Sequence, residues 1–302
     1  MSAVEPSLVK QKLLHIAASG AFAKFTPEQL HHTTRQLTDY LLHNETKLDS
    51  IELFQLFELE FYLSILTHHD IEAKNILDRL RDQFGSDATS QRIRLLQSIY
   101  YESQGQLKHA GDILSADPDE LKLSRRLTTF ARYDSTPEKY INNLNFYLNL
   151  QPADILSWCE LSHQYAQLGI YDRALYCLKR VVVLQPTAYN IFYKIGLMNY
   201  YLFLQAEREL KENEQQRKDK VIELMSILID ARDNYMYSLE INDQYDKSWV
   251  GLWSLVQPRF AFNLKSRKIS ESSKAIKHYL QQVDVLRPIV KSKITELGIE
   301  SE

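Results

Sequence analysis

The sequence predicts an all-α protein, a right-handed solenoid of stacked helix pairs with atypical helical caps at both ends. Three observations predict this class. Strong helix formers are abundant, and the 302 residues hold only eight glycines and eight prolines. Apolar residues recur at helical spacing on both sides of one short turn between residues 154 and 186. A β-sandwich or barrel needs turn residues every ~8–12 positions, and this chain has too few of them.

The clearest helix pair includes the stretch WCELSHQYAQLGIYDRALYCLKRVVVLQP, residues 158–186. Before Gly169, apolar side chains recur at steps of three or four, which predicts an amphipathic helix. They are Ile155, Trp158, Leu161, Tyr165 and Leu168. Gly169 is expected to end that helix with a positive φ angle. A second helix then begins near Tyr171 and ends before Pro186.

This pattern resembles the tetratricopeptide repeat, whose period of about 34 residues carries W, L-G, Y, A and P at fixed places. The matching positions are Trp158, Leu161, Tyr165, Ala174 and Pro186. Ser162 stands where the repeat usually has glycine. We expect Ala174 at the point where the two helices cross most closely.

The same pattern of residues recurs along the chain. Pro152 lies 34 residues before Pro186. The close-crossing alanine recurs as Ala73, Ala110 and Ala231, and Trp249 opens a further first helix. We predict about five helix pairs over residues 51–262, with helical caps over 1–50 and 263–302.

A stretch rich in charge, residues 204–224, displaces the helix that carries Ala231 from the regular period. It has two interpretations. In the first, the flanking helices extend and project a polar hairpin into solvent. In the second, the stretch is an arm that docks a partner. Its charges are mixed in sign, so it is not a nucleic-acid tail.

Composition excludes several functions. The formal net charge is -3, so there is no global basic field to attract nucleic acid. Cys159 and Cys177 are too few for a disulfide framework, and we expect two small buried thiols in a reducing compartment. No apolar stretch approaches the length of a secretory leader or a membrane span. We therefore expect a soluble chain that reaches a membrane only through a partner.

No constellation in the sequence indicates chemistry. The pairs His31-His32 and His68-His69 are adjacent in sequence, and adjacent side chains on a helix point ~100° apart. Metal-binding helices instead place ligands at i and i+4, as in H-E-x-x-H. The nucleophile elbow, the P-loop and the dinucleotide-binding glycine motif are all missing. We predict no enzymatic activity, no metal and no cofactor.

The repeat resemblance implies a concave surface lined by fixed positions of each first helix. For the unit that begins at Ile155, these include Cys159, His163 and Gln167, with Leu156 and Ala166. The preceding unit contributes Lys122, Arg125, Arg132 and Tyr133, with Thr129, and the following unit Asn190, Tyr193 and Tyr200, with Leu197 and Tyr201. We expect a groove that grades from basic to aromatic, with three exposed tyrosines. Such a lining suits a peptide with acidic and apolar residues.

The chain further resembles subunit 2 of the endoplasmic reticulum membrane protein complex, in a fungal-like form. The segments that carry this resemblance are residues 158–186, LNFYLNLQP and ARDNYMYSLEINDQYDKSWVGLW. It implies a non-catalytic scaffold on the cytosolic face of a membrane-protein insertase. That complex inserts tail-anchored and multi-pass proteins, and its subunit 2 grips cytosolic tails of membrane-embedded subunits.

The alternative is a tetratricopeptide co-chaperone that clamps the C-terminal tail of a heat-shock chaperone. Such clamps use Lys, Asn, Lys and Arg across successive first helices to hold two carboxylates. Lys122, Arg125 and Asn190 are present, whereas Cys159 and His163 occupy the intervening unit. A pull-down with each kind of tail separates the two functions.

Overall fold

The structure, a computed structural model, describes residues 6–85, 90–117, 119–132, 136–212, 217–257 and 274–298. These residues form fourteen α-helices, two short 3-10 helices and no strand, which confirms the predicted all-α class. The α-helices are α1 Pro6–Ser19, α2 Pro27–Asn44, α3 Ser50–Leu66, α4 Asp70–Phe84, α5 Gln91–Ser103, α6 Leu107–Ser115, α7 Leu121–Phe130, α8 Pro137–Leu150, α9 Ile155–Gln167, α10 Tyr171–Leu184, α11 Tyr189–Glu212, α12 Arg217–Ile241, α13 Asp246–Val256 and α14 Lys274–Glu296. The chain divides into two compact units, Met1–Asn143 and Leu144–Glu302.

Three helix pairs share one tight turn. Gly169 has a φ of 73°, as predicted, and Gly105 has a φ of 75° in the equivalent place. In the turn between α3 and α4 this left-handed position is held by His68, with a φ of 60°. The next amide donates back to the carbonyl five residues earlier, in the pairs Ile170 to Tyr165, Gln106 to Tyr101 and His69 to Ser64, at 2.9, 2.9 and 2.8 Å. The sequence HHD therefore forms a turn of the same kind as the two glycine turns.

Replacing His68 with glycine is expected to stabilise the protein by about 0.5–1 kcal/mol, because glycine adopts positive φ without the steric cost that a Cβ brings. Urea denaturation measures the difference. The matched control is His69→Gly, at a φ of -97°, where the same change brings no such relief. A His68→Gly variant that is less stable than wild type would show that the imidazole contributes more than the strain costs.

The close-crossing alanines are packed without solvent contact. Ala73, Ala110, Ala174 and Ala231 all have an exposed fraction of 0%. A serine of the facing helix bonds across two of these crossings. Ser162 Oγ donates to the carbonyl of Ala174 at 3.1 Å, and Ser98 Oγ donates to that of Ala110 at 3.2 Å. A serine at the glycine position of the repeat thus adds a buried hydrogen bond between the two helices.

In the first unit, arginines link successive segments at the repeat distance. Arg79 pairs with Glu45 and Arg92 pairs with Glu58, and both pairs are separated by 34 residues. The guanidinium of Arg92 also lies 4.2 Å from the ring centre of Phe54. The side chains of these arginines therefore contact both a carboxylate and the apolar core formed by α1 to α5.

Glu60 of α3 is a half-buried carboxyl in the same region. Burial raises its pKa to about 7, with nearby Glu72 and Glu45 adding to the increase and Arg79 opposing it. The folded state therefore disfavours the ionised form. The resulting loss of folding stability is absent below pH 4.5, the unfolded pKa of this carboxyl. It grows as the pH rises from about 4.5 to about 7 and is complete above pH 7.

Glu60→Gln is accordingly expected to stabilise the protein above pH 7 by about 1–3 kcal/mol, with the gain vanishing near pH 4.5. Thermal melts across pH 4.5–8 test this dependence. Glu223→Gln, at an exposed carboxylate on α12, is the matched control. A pH-independent effect of Glu60→Gln would mean that its ionisation does not limit stability.

The second unit is built around α11 to α14. Helices α11 and α12 pack together, and their core includes Phe203, Leu228, Tyr235, Leu255 and Tyr279. The described parts of the charged stretch, residues 204–212 and 217–224, belong to the end of α11 and the start of α12. Leu204 and Ala206 pack against the core and Leu224 is buried in it, so both ends of the stretch belong to the packed helix pair.

Helix α14 closes this unit. Tyr279, Val283, Val290 and Ile294 recur along one side of α14 and are buried in the core. Arg287 Nε donates to the carbonyl of Val256 at 2.7 Å, at the end of α13. This hydrogen bond satisfies a carbonyl that the end of a helix leaves without an internal partner. Within the described residues, none of the helices has the length and apolar character required to cross a membrane.

Candidate peptide-binding surface

Two tryptophans fix the starts of first helices in the second unit. The indole N–H of Trp158 donates to the carbonyl of Pro152 at 2.9 Å, and that of Trp249 donates to Asp243 at 2.7 Å. In both cases the acceptor lies six residues earlier. The structure thus gives Trp249 the same local role as Trp158 and places α9 and α13 in equivalent positions of the repeat.

The groove positions predicted in the first unit have different surroundings. Lys122 and Arg132 are exposed, and the guanidinium of Arg132 lies 5.6 Å from the ring centre of Tyr140. Arg125 was expected to be an exposed charge, but it is half-buried and donates from Nη1 to Thr128 Oγ1 at 2.9 Å. The position of Tyr133 falls outside the described residues.

In the second unit the predicted positions lie on two helices, α9 and α11, that both pack against α10. His163, Gln167 and Asn190 are exposed, and Cys159 is half-buried. The ammonium group of exposed Lys194 on α11 acts electrostatically on the Cys159 thiol of α9. We call the set Cys159, His163, Gln167, Asn190, Tyr193, Lys194 and Tyr200 the α9/α11 surface.

The tyrosines of this surface form its base. The expectation that Tyr193 and Tyr200 stand exposed is wrong, because both are half-buried and pack against the core of the second unit. The ring centre of Tyr193 lies 5.9 Å from that of Tyr235 and 5.6 Å from that of Tyr245. Only Tyr201, at 38% exposure, is open to solvent as predicted.

Tyr235 packs against these rings in the core of the second unit. The sequence analysis did not single out this residue. Its side chain is 1% exposed and lies between two helical glycines. A Cβ added to Gly196 would lie 2.7 Å from the Tyr235 ring, and one added to Gly251 would lie 2.6 Å from it. The available signal was a glycine inside each of two apolar helices, which often marks close packing.

The phenols of the packed tyrosines are uncharged. Burial raises the pKa of Tyr193, Tyr200 and Tyr235, so these phenols stay protonated at neutral pH. Burial also raises the pKa of the Cys159 thiol, and it raises that of Cys177 to about 12. Cys177 is buried, as predicted, and Cys159 only half-buried. Neither thiol is poised as a thiolate nucleophile.

The α9/α11 surface therefore offers binding groups on a packed aromatic base. Imidazole, amide and ammonium groups from His163, Gln167, Asn190 and Lys194 can bond to peptide carbonyls and carboxylates. No group of three His, Cys, Asp or Glu side chains is placed to hold a metal ion within the described ranges. The side chains that are present provide hydrogen bonds and apolar contacts.

Comparisons with known proteins agree with the resemblance predicted from the sequence. The chain is 25% identical to ER membrane protein complex subunit 2 of Saccharomyces cerevisiae over 287 residues, which cover 89% of this chain and 91% of the relative. It is 30% identical to ER membrane protein complex subunit 2 of Dictyostelium discoideum over 125 residues, covering 40% of this chain and 38% of that protein. No protein-family model matches the chain. The predicted resemblance to this subunit is confirmed.

A solved structure supports the fold. The C-terminal part of a TPR repeat-containing protein from Cytophaga hutchinsonii superposes with a TM-score of 0.52, covering 97% of this chain and 100% of that structure. Because the two sequences are only 11% identical, the likeness concerns the fold alone. The predicted array of tetratricopeptide-type helix pairs is confirmed.

Proposed function

We propose that this chain is a non-catalytic scaffold subunit of an endoplasmic reticulum membrane-protein insertase. It lies on the cytosolic face of the membrane and grips the cytosolic tails of membrane-embedded subunits. In doing so it supports the insertion of tail-anchored and multi-pass proteins. The similarity to subunit 2 over 89% of the chain supports this assignment.

The observation that carries the proposal is the α9/α11 surface. Tyr193 and Tyr200 are packed on the core, so a bound tail meets rings that are already ordered, and ordering costs on binding are reduced. His163 and Gln167 on α9 and Asn190 and Lys194 on α11 are exposed. An extended or helical tail with apolar residues and at least one carboxylate fits this combination, since Lys194 supplies the opposite charge.

The test changes exposed groups of this surface and follows assembly. Asn190→Glu with Lys194→Glu should leave the isolated chain folded, because exposed charges contribute little to stability. It should reduce co-purification with the membrane subunits in mild detergent by about tenfold, because the tail carboxylate then meets like charge. Tail-anchored clients should remain uninserted in the same cells.

The matched control is Lys179→Glu, at an exposed position of α10 outside this surface, which should assemble normally. Normal recovery of the Asn190→Glu/Lys194→Glu variant would place the tail contact elsewhere and refute the proposed surface. Exchanging exposed Lys122 and Arg132 for glutamate tests the predicted groove positions of the first unit separately. Capture of heat-shock chaperone tails, but not of membrane-subunit tails, would favour the co-chaperone function.

A further inference from the structure

Helix α14 presents two apolar side chains, Val285 and Ile289, to solvent. The side chains of His278, Gln282, Val285 and Ile289 follow one another at steps of four, three and four, which places them along one side of the helix. Val285 is 67% exposed and Ile289 is 54% exposed. Together these four positions span about 16 Å of helix at 1.5 Å per residue, the length of three turns.

An open groove of about 440 Å³ lies beside this face, between α12 and α14. Met236 of α12 and Leu286 of α14 contribute to its apolar lining and are themselves packed against the core. Val285 lines the same groove from α14. A groove between two helices with exposed apolar side chains at helical spacing is the form that receives an amphipathic helix.

The polar end of the groove is fixed by a buried arginine. Arg232 is 8% exposed and donates from Nε and Nη2 to Asp233 Oδ1, at 2.8 and 2.6 Å. Its Nη1 donates to Gln282 Oε1 of α14, and its guanidinium lies 5.8 Å from the ring centre of Tyr279. These contacts tie the two walls of the groove together and hold their spacing before any partner arrives.

The edge formed by α12 carries negative charge. The Asp233 side chain keeps 40% of its surface exposed although it pairs with Arg232. Glu240 is exposed on the same face two turns later. Arg232 balances the charge of Asp233, so the net negative charge of this edge comes from Glu240. Charge complementarity therefore favours a partner with lysine or arginine beside its apolar stripe.

We propose that the α12/α14 groove docks an amphipathic helix of a partner protein. Its apolar side chains, spaced i, i+4 and i+7, lie against Met236, Val285 and Ile289, and its basic residues face Asp233 and Glu240. This docking surface is additional to the α9/α11 surface. A second copy of the chain fits less well, because a twofold contact pairs the same patch with itself and brings like carboxylates together.

Fluorescence anisotropy with the full chain tests the docking. The probes are two fluorescein-labelled, stapled helical peptides with the same leucine stripe, one flanked by lysines and the other by glutamates. We expect the lysine peptide to bind about tenfold more tightly than the glutamate peptide. Val285→Asp with Ile289→Asp should weaken its binding by about tenfold or more, because a charged side chain would be buried on docking. Glu240→Lys should reduce the preference for lysine.

Val183→Asp is the matched control, because Val183 is 73% exposed on α10, outside the groove. It should bind the lysine peptide as wild type does. The proposal is overturned if wild type fails to bind that peptide, if both peptides bind equally, or if the groove variant and the control behave alike. Light scattering that shows a wild-type dimer, dispersed by Val285→Asp with Ile289→Asp, would identify a second copy as the occupant and equally overturn it.

Discussion

Replacing Gly251 with alanine is expected to lower the free energy of unfolding by about 1–3 kcal/mol, the usual cost of overpacking. In an unhindered helix the same change stabilises, because alanine is the better helix former. Here the new Cβ would lie 2.6 Å from the ring of Tyr235, which is 1% exposed. The ring has little room to retreat, since Gly196 contacts it through another helix.

Urea denaturation of four variants, Gly251→Ala, Gly111→Ala, Tyr235→Leu and Gly251→Ala with Tyr235→Leu, separates the clash from helix propensity. Gly111→Ala is the matched control, because a Cβ there meets nothing within 4 Å and should stabilise by up to about 1 kcal/mol. In a Tyr235→Leu background, Gly251→Ala should cost less than in wild type, because a smaller side chain faces the new methyl group. Equal costs in both backgrounds would show that Tyr235 does not restrict Gly251.

Local features of the fold were predictable because their causes lie close together in sequence. The turn at Gly169 and the helices on either side of it follow from apolar spacing and from the conformational freedom of glycine. The close-crossing positions Ala73, Ala110 and Ala174 could be found because each lies five residues after a turn residue, which is His68, Gly105 or Gly169. The turn at His68 was missed because histidine rarely adopts positive φ.

The burial of surface residues was harder to predict because it depends on distant parts of the chain. Tyr193 and Tyr200 pack near Tyr235, which follows the charged stretch 204–224 and so stands outside the regular repeat period. Arg125 likewise lies at a groove position of the repeat but is half-buried and bonds to buried Thr128. A repeat register gives the direction of a side chain, while its exposure depends on which neighbours pack around it.

The groove beside α14 had no counterpart in the sequence interpretation. Its two walls come from residues 232–236 and 278–286, and no repeat motif links these segments. The C-terminal segment was expected to form a helical cap, and the terminal units of a solenoid usually present a polar face to water. Val285 and Ile289 depart from that rule, and this departure is what indicates a partner.

Ala174→Arg is expected to unfold the second unit, with a loss of about 4 kcal/mol or more from overpacking and from burial of an unpaired charge. Ala174 is 0% exposed, and its carbonyl accepts the hydrogen bond from Ser162 Oγ at 3.1 Å, so separating α9 from α10 also leaves buried polar groups without partners. Circular dichroism melts should show lost helix content or a strongly lowered midpoint. Val183→Arg, on the same helix at a side chain that is 73% exposed, should melt like wild type. Equal midpoints for Ala174→Arg and wild type would mean that the α9–α10 crossing accommodates the arginine side chain. The α9/α11 surface would then be ordered by contacts other than this crossing.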